Sequence, residues 1–383
     1  MNELVLNQKD LLVMNLVNYF MTDKNYTPII VHGVRDEIWL ENMEKDLQLI
    51  RLYTNYIHNS EQLKNDMYKV KTVMRSIKKT TLSLRMNVLN LLLDINEDVD
   101  ISRTKDFKHV ETIKIDNVGD FKKNKVVSSF FPNVKKNILT DKMDPIDFFK
   151  LTDDMNKKTI KNEKKLAKIF SQKKPVITYL FIVLNVMIYL FSFVFPKLTG
   201  MFCNTYLGVQ AGQFYRLLTS MFFHGSLIHL ICNMYALYMI GPQVERYYGK
   251  RRFAFIYLVS GMLGSVFSCA FMSDVTAMYG GSIGASGAIF GLLGSIGYFS
   301  YYYRATLQDS LRNNVTPVIV SNLILSILVP GIDFFGHVGG LIGGLLTSMV
   351  IGIGDKGRKS DQINGAIVLV LMFVFMIYMT LGR

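Results

Sequence analysis

A serine hydroxyl stands where an apolar sequence has little use for one. Ser286 lies in Gly284-Ala285-Ser286-Gly287, near the start of an apolar segment of membrane length. His337 opens another such segment, and His229 and Asn233 lie one helical turn apart in a third. Polar groups within membrane helices are costly and usually functional. A serine, an imidazole and a pair of hydrogen-bond donors are the parts of a serine hydrolase built inside a membrane.

Peptide-bond hydrolysis places specific demands on these residues. A serine hydroxyl is a weak nucleophile unless an adjacent base removes its proton. His337 is the only histidine C-terminal to Ser286, and the apolar segments contain no lysine that could replace it. The tetrahedral oxyanion needs positioned donors. We predict that His229, Asn233 and the backbone N–H of Ser286 supply them, since the first N–H groups of a helix have no partner within it.

Glycines explain how two helices could bring serine and histidine together. Gly287 and Gly291 are four residues apart, and Gly336, Gly340 and Gly344 continue the same spacing in a later segment. Such spacing places glycines on one helix face and lets the two backbones approach closely. A hydrogen bond of about 2.6–3.2 Å between serine and histidine requires that approach. Either pattern alone is weak, but their combination with the polar residues is far more specific.

Apolar segments long enough to cross a bilayer fill the chain after Pro175. The whole sequence is 50% hydrophobic and 19% charged, but the part before Pro175 is charge-dense and has no long apolar run. A helix needs roughly 20 apolar residues to span the hydrocarbon core. Transmembrane strands would alternate polar and apolar residues, which these segments do not. We predict seven transmembrane helices, at about 176–196, 227–243, 253–272, 283–303, 314–330, 336–353 and 363–381.

Basic residues predict the orientation of these helices. Lysines and arginines cluster at 157–174, 246–252, 304–312 and 356–359, which are alternate loops. The intervening loops 197–226, 273–282 and 331–335 carry only Lys197 and Arg216. By the positive-inside rule the basic loops and the N-terminus are cytoplasmic, and the C-terminus lies outside after seven crossings. Ser286 and His337 then both begin helices near the outer face.

The chain is expected to divide into a cytosolic domain at 1–150, a basic linker at 151–174, a six-helix core at 175–353 and a cytoplasmic loop with a seventh helix at 354–383. Within the first domain, 11–20 and 47–57 are predicted as helices, and 67–93 as a longer basic amphipathic helix. The alternation in 110–115 predicts a strand. A small soluble α/β or α+β domain is therefore expected, with no nucleotide or metal motif to identify its ligand.

Several other functions are disfavoured by the composition. The net charge of +13 is attributed to basic residues that flank helices, so no nucleic-acid partner is expected. The N-terminus lacks a signal-peptide pattern, and three cysteines give neither a disulfide framework nor a metal spacing. A zinc site on His224, His229 and His337 is a weaker reading without an HExxH pattern. Gly352-Ile353-Gly354-Asp355 matches the GxGD string of aspartyl intramembrane proteases, but it lies at a helix end without a partner aspartate.

The region from about 176 to 353 resembles the rhomboid intramembrane serine proteases. The residues that carry the resemblance are Arg216, His224, His229, Asn233, the Glu245 and Gly249 pair, Gly284-Ala285-Ser286-Gly287 and the sequence 336–344. It implies Ser286 as nucleophile and His337 as general base and acid, without an aspartate. It also implies His229 and Asn233 as oxyanion donors. Asp333, four residues before His337, is a further but weaker candidate to orient the histidine.

The same resemblance implies supporting roles around the site. Arg216 is expected to shape the first loop and Glu245 the cytoplasmic end of the second helix. Independently of the resemblance, His224 is expected to make a structural hydrogen bond in the first loop rather than to bind a metal. The other residues expected near the site are Gly284, Gly287, Gly340 and Gly344. Tyr215 and Phe290 depart from the family, which usually has Trp and in some members Tyr there, but both keep an aromatic ring.

The order of domains and the sequences 36–41 and 50–53 also resemble YqgP-like rhomboids of Gram-positive bacteria. The expected function is endopeptidase cleavage of transmembrane segments near the outer face, through an acyl-enzyme and without metal or cofactor. The expected location is the bacterial plasma membrane, with transmembrane proteins as substrates and an unidentified cytosolic partner for the N-terminal domain. The alternatives are a catalytically silent relative that binds transmembrane clients or delivers them to another protease, and a transporter, which broken helices or repeats would indicate.

Overall fold

A computed structural model of the chain describes residues 8–29, 31, 37–43, 45–80, 86–134, 145–170, 174–271, 281–303, 315–353 and 359–382. The chain forms two compact units, Met1–Leu166 and Ala167–Arg383. The first contains a small mixed sheet with helices, and the second contains long apolar helices. The predicted fold class is therefore confirmed: a polytopic α-helical membrane protein with an N-terminal α/β domain.

The N-terminal unit is built on five strands that occur in the sheet in chain order. The strands are β1 (Thr27–Ile29), β2 (Glu37–Glu41), β3 (Leu49–Tyr53), β4 (Val88–Leu92) and β5 (Val110–Lys114). The pairs β1–β2 and β2–β3 are antiparallel, whereas β3–β4 and β4–β5 are parallel. Apolar clusters cover both faces of the sheet, because successive strand residues point to opposite faces.

The helices of this unit correct two of the predictions. They are α1 (Gln8–Asn18), α2 (Ser60–Thr80), α3 (Val118–Lys123), α4 (Lys125–Phe130) and α5 (Pro145–Phe170). The predicted helix at 47–57 is wrong, because this segment contains β3. The predicted helix at 67–93 ends at Thr80 and is followed by β4. The helix near 11–20 and the strand at 110–115 are present.

A fully buried arginine lies within this sheet. Arg51 on β3 donates two hydrogen bonds of 2.7 Å to Asp66 and one of 3.1 Å to Asn90, and it forms an ion pair with Glu37. A buried charge is tolerated when it is paired and hydrogen-bonded. These contacts join β2, β3, β4 and α2 through one side chain.

Each predicted transmembrane segment corresponds to one helix of the second unit. The α-helices described in this unit are α6 (Val176–Val194), α7 (Lys197–Phe202), α8 (Tyr206–Gln210), α9 (Arg216–Thr219), α10 (Leu227–Tyr248), α11 (Lys250–Phe271), α12 (Ser286–Tyr302), α13 (Thr316–Leu328), α14 (Phe334–Ile351) and α15 (Lys359–Leu381). The seven that match the predicted segments are α6 and α10 to α15. In the described part of the chain, five are long and apolar enough to cross a membrane: α6, α10, α11, α14 and α15. The apolar helices α12, with 17 residues, and α13, with 13, are shorter.

The predicted helix ends differ most between the second and third segments. The gap predicted at 244–252 contains the last turn of α10 and the first of α11, and Gly249 alone separates the two helices. Gly249 has a φ of +82°, a conformation that glycine adopts without steric cost. Of the basic residues used to assign orientation, Lys173, Arg304, Arg312, Lys356 and Arg358 lie outside the described residues.

Three helices, α11, α12 and α14, pack against one another through glycine. A Cβ atom added at Gly264 of α11 would lie 2.7 Å from the Gly336 carbonyl oxygen of α14. Added at Gly340 or Gly344 of α14, it would collide with the backbone of Gly287 or Gly291 of α12. Backbones this close leave no room for larger side chains. The predicted glycine faces therefore do meet, and they fix the positions of the helices that carry Ser286 and His337.

Candidate active site

Ser286 is the first residue of α12, and the chain enters this helix in a tightly held conformation. Gly284 has a φ of +118°, which non-glycine residues rarely adopt. Its N–H donates a 3.1 Å hydrogen bond to the Ser220 carbonyl oxygen. Two residues earlier, Ser282 exchanges backbone hydrogen bonds of 2.8 and 3.0 Å with Asn204. The partly exposed Ser286 side chain is thus held at a fixed point beside the helix N-terminus.

His229 and Asn233 of α10 lie beside this turn. A Cβ atom added at Gly284 would lie 2.7 Å from the His229 imidazole and 3.4 Å from Asn233 Nδ2. Asn233 is 6% exposed, and its Nδ2 has no hydrogen-bond partner among the described residues. Buried amide donors are rarely left unpaired in proteins, and such a group calls for a functional explanation. Two donors therefore converge on the backbone two residues before Ser286.

His337 lies in the first turn of α14, buried against α12. Its ring stacks on Phe290, with ring centroids 4.3 Å apart and planes inclined by 15°. Phe290 follows Ser286 by four residues, so the two side chains are on the same face of α12. Stacking on Phe290 therefore places the imidazole along the helix face that carries the serine. The edge of the ring contacts a third helix, because His337 Nδ1 lies 2.7 Å from Ser326 Oγ on α13.

Asp333 links the beginnings of the two candidate catalytic helices. It is the N-cap of α14, where one carboxylate oxygen accepts a 2.8 Å hydrogen bond from the Gly336 N–H. The other oxygen accepts a 2.5 Å hydrogen bond from Ser282 Oγ, in the segment that leads to Ser286. One carboxylate therefore holds the N-terminus of α14 next to the segment that precedes α12. The hydrogen-bond partner of His337 Nδ1 is Ser326, not Asp333.

Arg216 and Glu245 form hydrogen bonds that connect segments near the site. Arg216 donates hydrogen bonds of 2.9 and 2.8 Å to the carbonyl oxygens of Gly200 and Cys203, which closes the segment containing α7 and α8. Glu245 accepts hydrogen bonds of 2.8–2.9 Å from the N–H groups of Ile177 and Thr178 and from the Thr178 hydroxyl. It therefore caps α6, whose first N–H groups would otherwise be unpaired.

The hydrogen bond predicted for His224 is not found, because neither ring nitrogen has a hydrogen-bond partner among the described residues. The ring instead packs edge to face with that of His229, with centroids 5.1 Å apart. Burial, with a smaller contribution from His229, lowers the pKa of His224 to about 3, so this imidazole is neutral at physiological pH. No cluster of three His, Cys, Asp or Glu side chains suited to a metal ion occurs in the described ranges.

A small polar cavity adjoins the candidate nucleophile. Its lining includes Ser286 together with polar side chains from four other segments: Ser220, Ser265, Ser282 and Asp333. Gly264, Gly287 and Gly336 form much of the remaining wall. Hydroxyl and carboxylate groups this close to a nucleophile can hold water by hydrogen bonds. The site therefore combines a serine, a histidine, a donor pair and a polar recess.

The residues around Gly284 are predictable from the sequence, whereas Ser326, Ser282 and the two hydrogen bonds of Asp333 are not. The signal for Ser326 is weak, because it is one of several polar residues in a largely apolar segment that also contains Ser321 and Asn322. Serine commonly satisfies its hydroxyl within its own helix. Its contact with His337 depends on how α13 and α14 are rotated, which single-sequence patterns do not give.

Parts of this chain are similar to known proteins. Residues 211–353 match the Rhomboid domain family. The chain is similar to rhomboid protease GluP of Bacillus subtilis (strain 168), with 28% identity over 369 residues that cover 91% of this chain and 71% of GluP. The similarity to GluP includes the N-terminal unit as well as the membrane helices.

Two plant proteins resemble only the membrane part. RHOMBOID-like protein 7 of Arabidopsis thaliana is 38% identical over 146 residues, covering 37% of this chain and 44% of that protein. RHOMBOID-like protein 4 of the same plant is 36% identical over 159 residues, covering 41% and 39%. The chain thus spans less than half the length of these plant relatives.

Proposed function

We propose that this chain, whose residues 211–353 match the Rhomboid domain family, is an active serine endopeptidase of that family and cleaves transmembrane segments of other membrane proteins. It is a multi-pass membrane protein, and we place it in the bacterial plasma membrane. Ser286 is the nucleophile, and His337 is the general base and acid. His229, Asn233 and the Ser286 backbone N–H stabilise the oxyanion. No cofactor is assigned.

The reaction proceeds by acyl transfer. Ser286 Oγ attacks the scissile carbonyl carbon as His337 Nε2 accepts the hydroxyl proton. The tetrahedral oxyanion is held by donors that are already in place, which lowers the barrier because little reorganisation is needed. His337 then protonates the leaving amine, and a water molecule hydrolyses the acyl-enzyme. The polar cavity beside Ser286 is suited to admit that water.

The observation that carries the proposal is the position of Asn233. Its buried amide nitrogen is unpaired in the described structure and faces Gly284, two residues before Ser286. An oxyanion beside Ser286 would satisfy this donor, whereas a purely structural asparagine would be expected to have a partner. The stacking of His337 on Phe290 supplies the second support, because it brings the base to the same helix face as the nucleophile.

Topology and substrate follow from the same proposal. With basic loops in the cytoplasm, the starts of α12 and α14 lie near the outer face, so cleavage occurs there. The substrate segment must unwind locally, because a helix keeps its carbonyl groups in hydrogen bonds. The N-terminal domain is assigned to the cytoplasm, where it binds a regulator or partner that the sequence does not identify.

A fluorophosphonate probe tests the nucleophile without knowledge of the substrate. Wild type, Ser286→Ala and His337→Ala are purified in mild detergent, with Ser300→Ala as a control because Ser300 is a buried serine of the same helix. We expect labelling of wild type and Ser300→Ala only. Equal labelling of all four proteins would overturn the assignment of Ser286. Folded wild type that binds transmembrane clients but neither labels nor cleaves would favour the silent relative.

A further inference from the structure

We propose that Ser326 is a positioning residue for His337: it accepts a hydrogen bond from Nδ1–H and thereby leaves Nε2 free as the base for Ser286. This inference rests on the proposed protease function, and it adds a residue to the site. Ser326 lies on α13, which carries none of the residues assigned above. Its side chain is 5% exposed, although most of α13 is not buried.

Two contacts of the Ser326 hydroxyl determine its role. Its oxygen lies 2.7 Å from the Asn322 carbonyl oxygen and 2.7 Å from His337 Nδ1. A hydroxyl has one hydrogen to donate, and a carbonyl oxygen can only accept. Both contacts are hydrogen bonds at once only if the hydroxyl donates to Asn322 and the imidazole donates to the hydroxyl. The proton of neutral His337 is then on Nδ1.

The proton position decides whether His337 can act as a base. A neutral imidazole carries one N–H and one nitrogen lone pair. With the proton on Nδ1, the lone pair is on Nε2 and can accept the proton of Ser286. With Ser326 donating to Nδ1 instead, Nε2 would carry the hydrogen and could not accept another. The hydrogen bond from Nδ1–H to Ser326 also survives when the imidazole becomes positively charged, so it stabilises the state formed during attack.

The His337 ring is therefore held by two contacts. Phe290 packs on its face and Ser326 contacts its edge, so a rotation of the ring that kept one contact would break the other. In serine protease triads an aspartate holds the corresponding nitrogen and fixes the tautomer. Here the carboxylate of Asp333 is hydrogen-bonded to Ser282 and Gly336, and a neutral hydroxyl takes the position at Nδ1.

A second serine on α13 provides a matched control. Ser321 also bonds back to its own helix, with its Oγ 3.2 Å from the Val318 carbonyl oxygen, but it is exposed. If the Ser326 hydroxyl only bonds to a carbonyl oxygen of its own helix, replacing either serine by alanine would have the same effect on catalysis. If Ser326 positions the base, only its replacement would impair catalysis.

The experiment compares full-length wild type, Ser326→Ala, Ser326→Thr and Ser321→Ala in proteoliposomes with a transmembrane reporter substrate. We expect Ser326→Ala to lower kcat by about 10- to 100-fold, the range for a hydrogen bond to a charged group, with KM little changed. Ser326→Thr keeps a hydroxyl and should recover most of the rate, and Ser321→Ala should match wild type. A rate for Ser326→Ala equal to that of Ser321→Ala would overturn the proposal.

A spectroscopic measurement tests the proton position directly. In protein labelled with 15N-histidine, the resonances of His337 are identified by their loss in His337→Ala. We expect a protonated Nδ1 and an unprotonated Nε2 in the neutral wild-type ring. A proton on Nε2 would refute the inference even if Ser326→Ala failed to fold.

The two proposals fail in different ways. Cleavage that persists in Ser286→Ala and His337→Ala would rule out the proposed protease mechanism, and His337 would then need no positioning residue. Loss of cleavage in those variants, together with full activity of Ser326→Ala, would remove only the role of Ser326.

Discussion

At the scale of single residues, Asn233 offers the most direct test of the oxyanion site. We expect Asn233→Ala to reduce kcat by about 100- to 1,000-fold, the usual cost of losing one such donor. Because Asn233 Nδ2 has no hydrogen-bond partner in the described structure, its removal leaves no partner unsatisfied there. The unfolding midpoint in detergent should therefore stay near that of wild type. Cleavage kinetics and thermal unfolding of the same preparations check both parts.

The neighbouring Cys232 provides the control for this substitution. It lies on the same helix with an exposed side chain, so Cys232→Ala should change neither rate nor stability. A normal kcat in Asn233→Ala would contradict the assigned role. An unfolding midpoint that drops in step with the rate would instead indicate a structural role.

Gly284 is the second test at this scale. Alanine there would have to adopt a φ of +118° and place its Cβ atom 2.7 Å from the His229 ring. Backbone strain of this kind costs about 1–3 kcal/mol, and the displaced ring would no longer face the oxyanion. We expect Gly284→Ala to lose most labelling by a fluorophosphonate probe.

Gly297→Ala is the matched control for Gly284→Ala. Gly297 lies within α12, and an added Cβ atom would meet nothing within 4 Å. Alanine is favoured over glycine inside helices, so this variant should label normally and unfold no earlier than wild type. Normal labelling of Gly284→Ala would show that the turn tolerates a side chain and that His229 is not held by it.

How far single residues could be predicted depends on how unusual they are. Ser286, His337, His229 and Asn233 stood out because each is a polar residue in an apolar segment, and the structure brings their segments together. Ser326 has the same property, but its partner is set by contact between two helices. Residue type was therefore readable from the sequence, whereas pairing between helices was not.

At the scale of elements, the close contact between α12 and α14 is the feature on which the site depends. A Cβ atom at Gly344 would collide with the backbone of Gly291, and backbone cannot move aside as a flexible side chain can. Overpacking of this kind costs about 1–3 kcal/mol. We expect Gly344→Ala to lower the unfolding midpoint and to reduce cleavage, because the two helices must separate.

The adjacent Leu345 provides the comparison for Gly344. Its side chain is 40% exposed on the same helix, so Leu345→Ala removes apolar area without entering the contact with α12. It should leave cleavage near the wild-type rate. If Gly344→Ala and Leu345→Ala behaved alike in both assays, the glycine contact would not be what positions His337.

Prediction of elements succeeded where the pattern had one possible cause. Long apolar segments predict helices, and each of the seven corresponds to one. The segments at 47–57 and 88–92 were misassigned because β3 and β4 are buried on both faces. A central strand of that kind lacks polar–apolar alternation, and a short apolar run cannot be distinguished from a buried helix by periodicity.

At the scale of the whole molecule, the two units differ in how many of their apolar side chains they bury. The N-terminal unit has its own apolar core on both faces of a sheet, so it does not depend on the membrane for burial of that core. The second unit exposes many large apolar side chains on its long helices, as expected for contact with lipid. Basic residues near helix ends then determine which side of the membrane each loop occupies.

The proposed orientation, with the basic loops in the cytoplasm, predicts which single cysteines a membrane-impermeant maleimide can label from outside the cell. The three native cysteines are first replaced, and Lys197→Cys or Lys250→Cys is then introduced separately at two exposed positions. Intact cells should label the variant at 197, beside the outer end of α6, and should label the variant at 250 only after permeabilisation. The same variants must retain fluorophosphonate labelling, which shows that the site is still assembled. The opposite pattern of maleimide labelling would place Ser286 and His337 near the cytoplasmic face, and cleavage would then have to be sought on that side of the membrane.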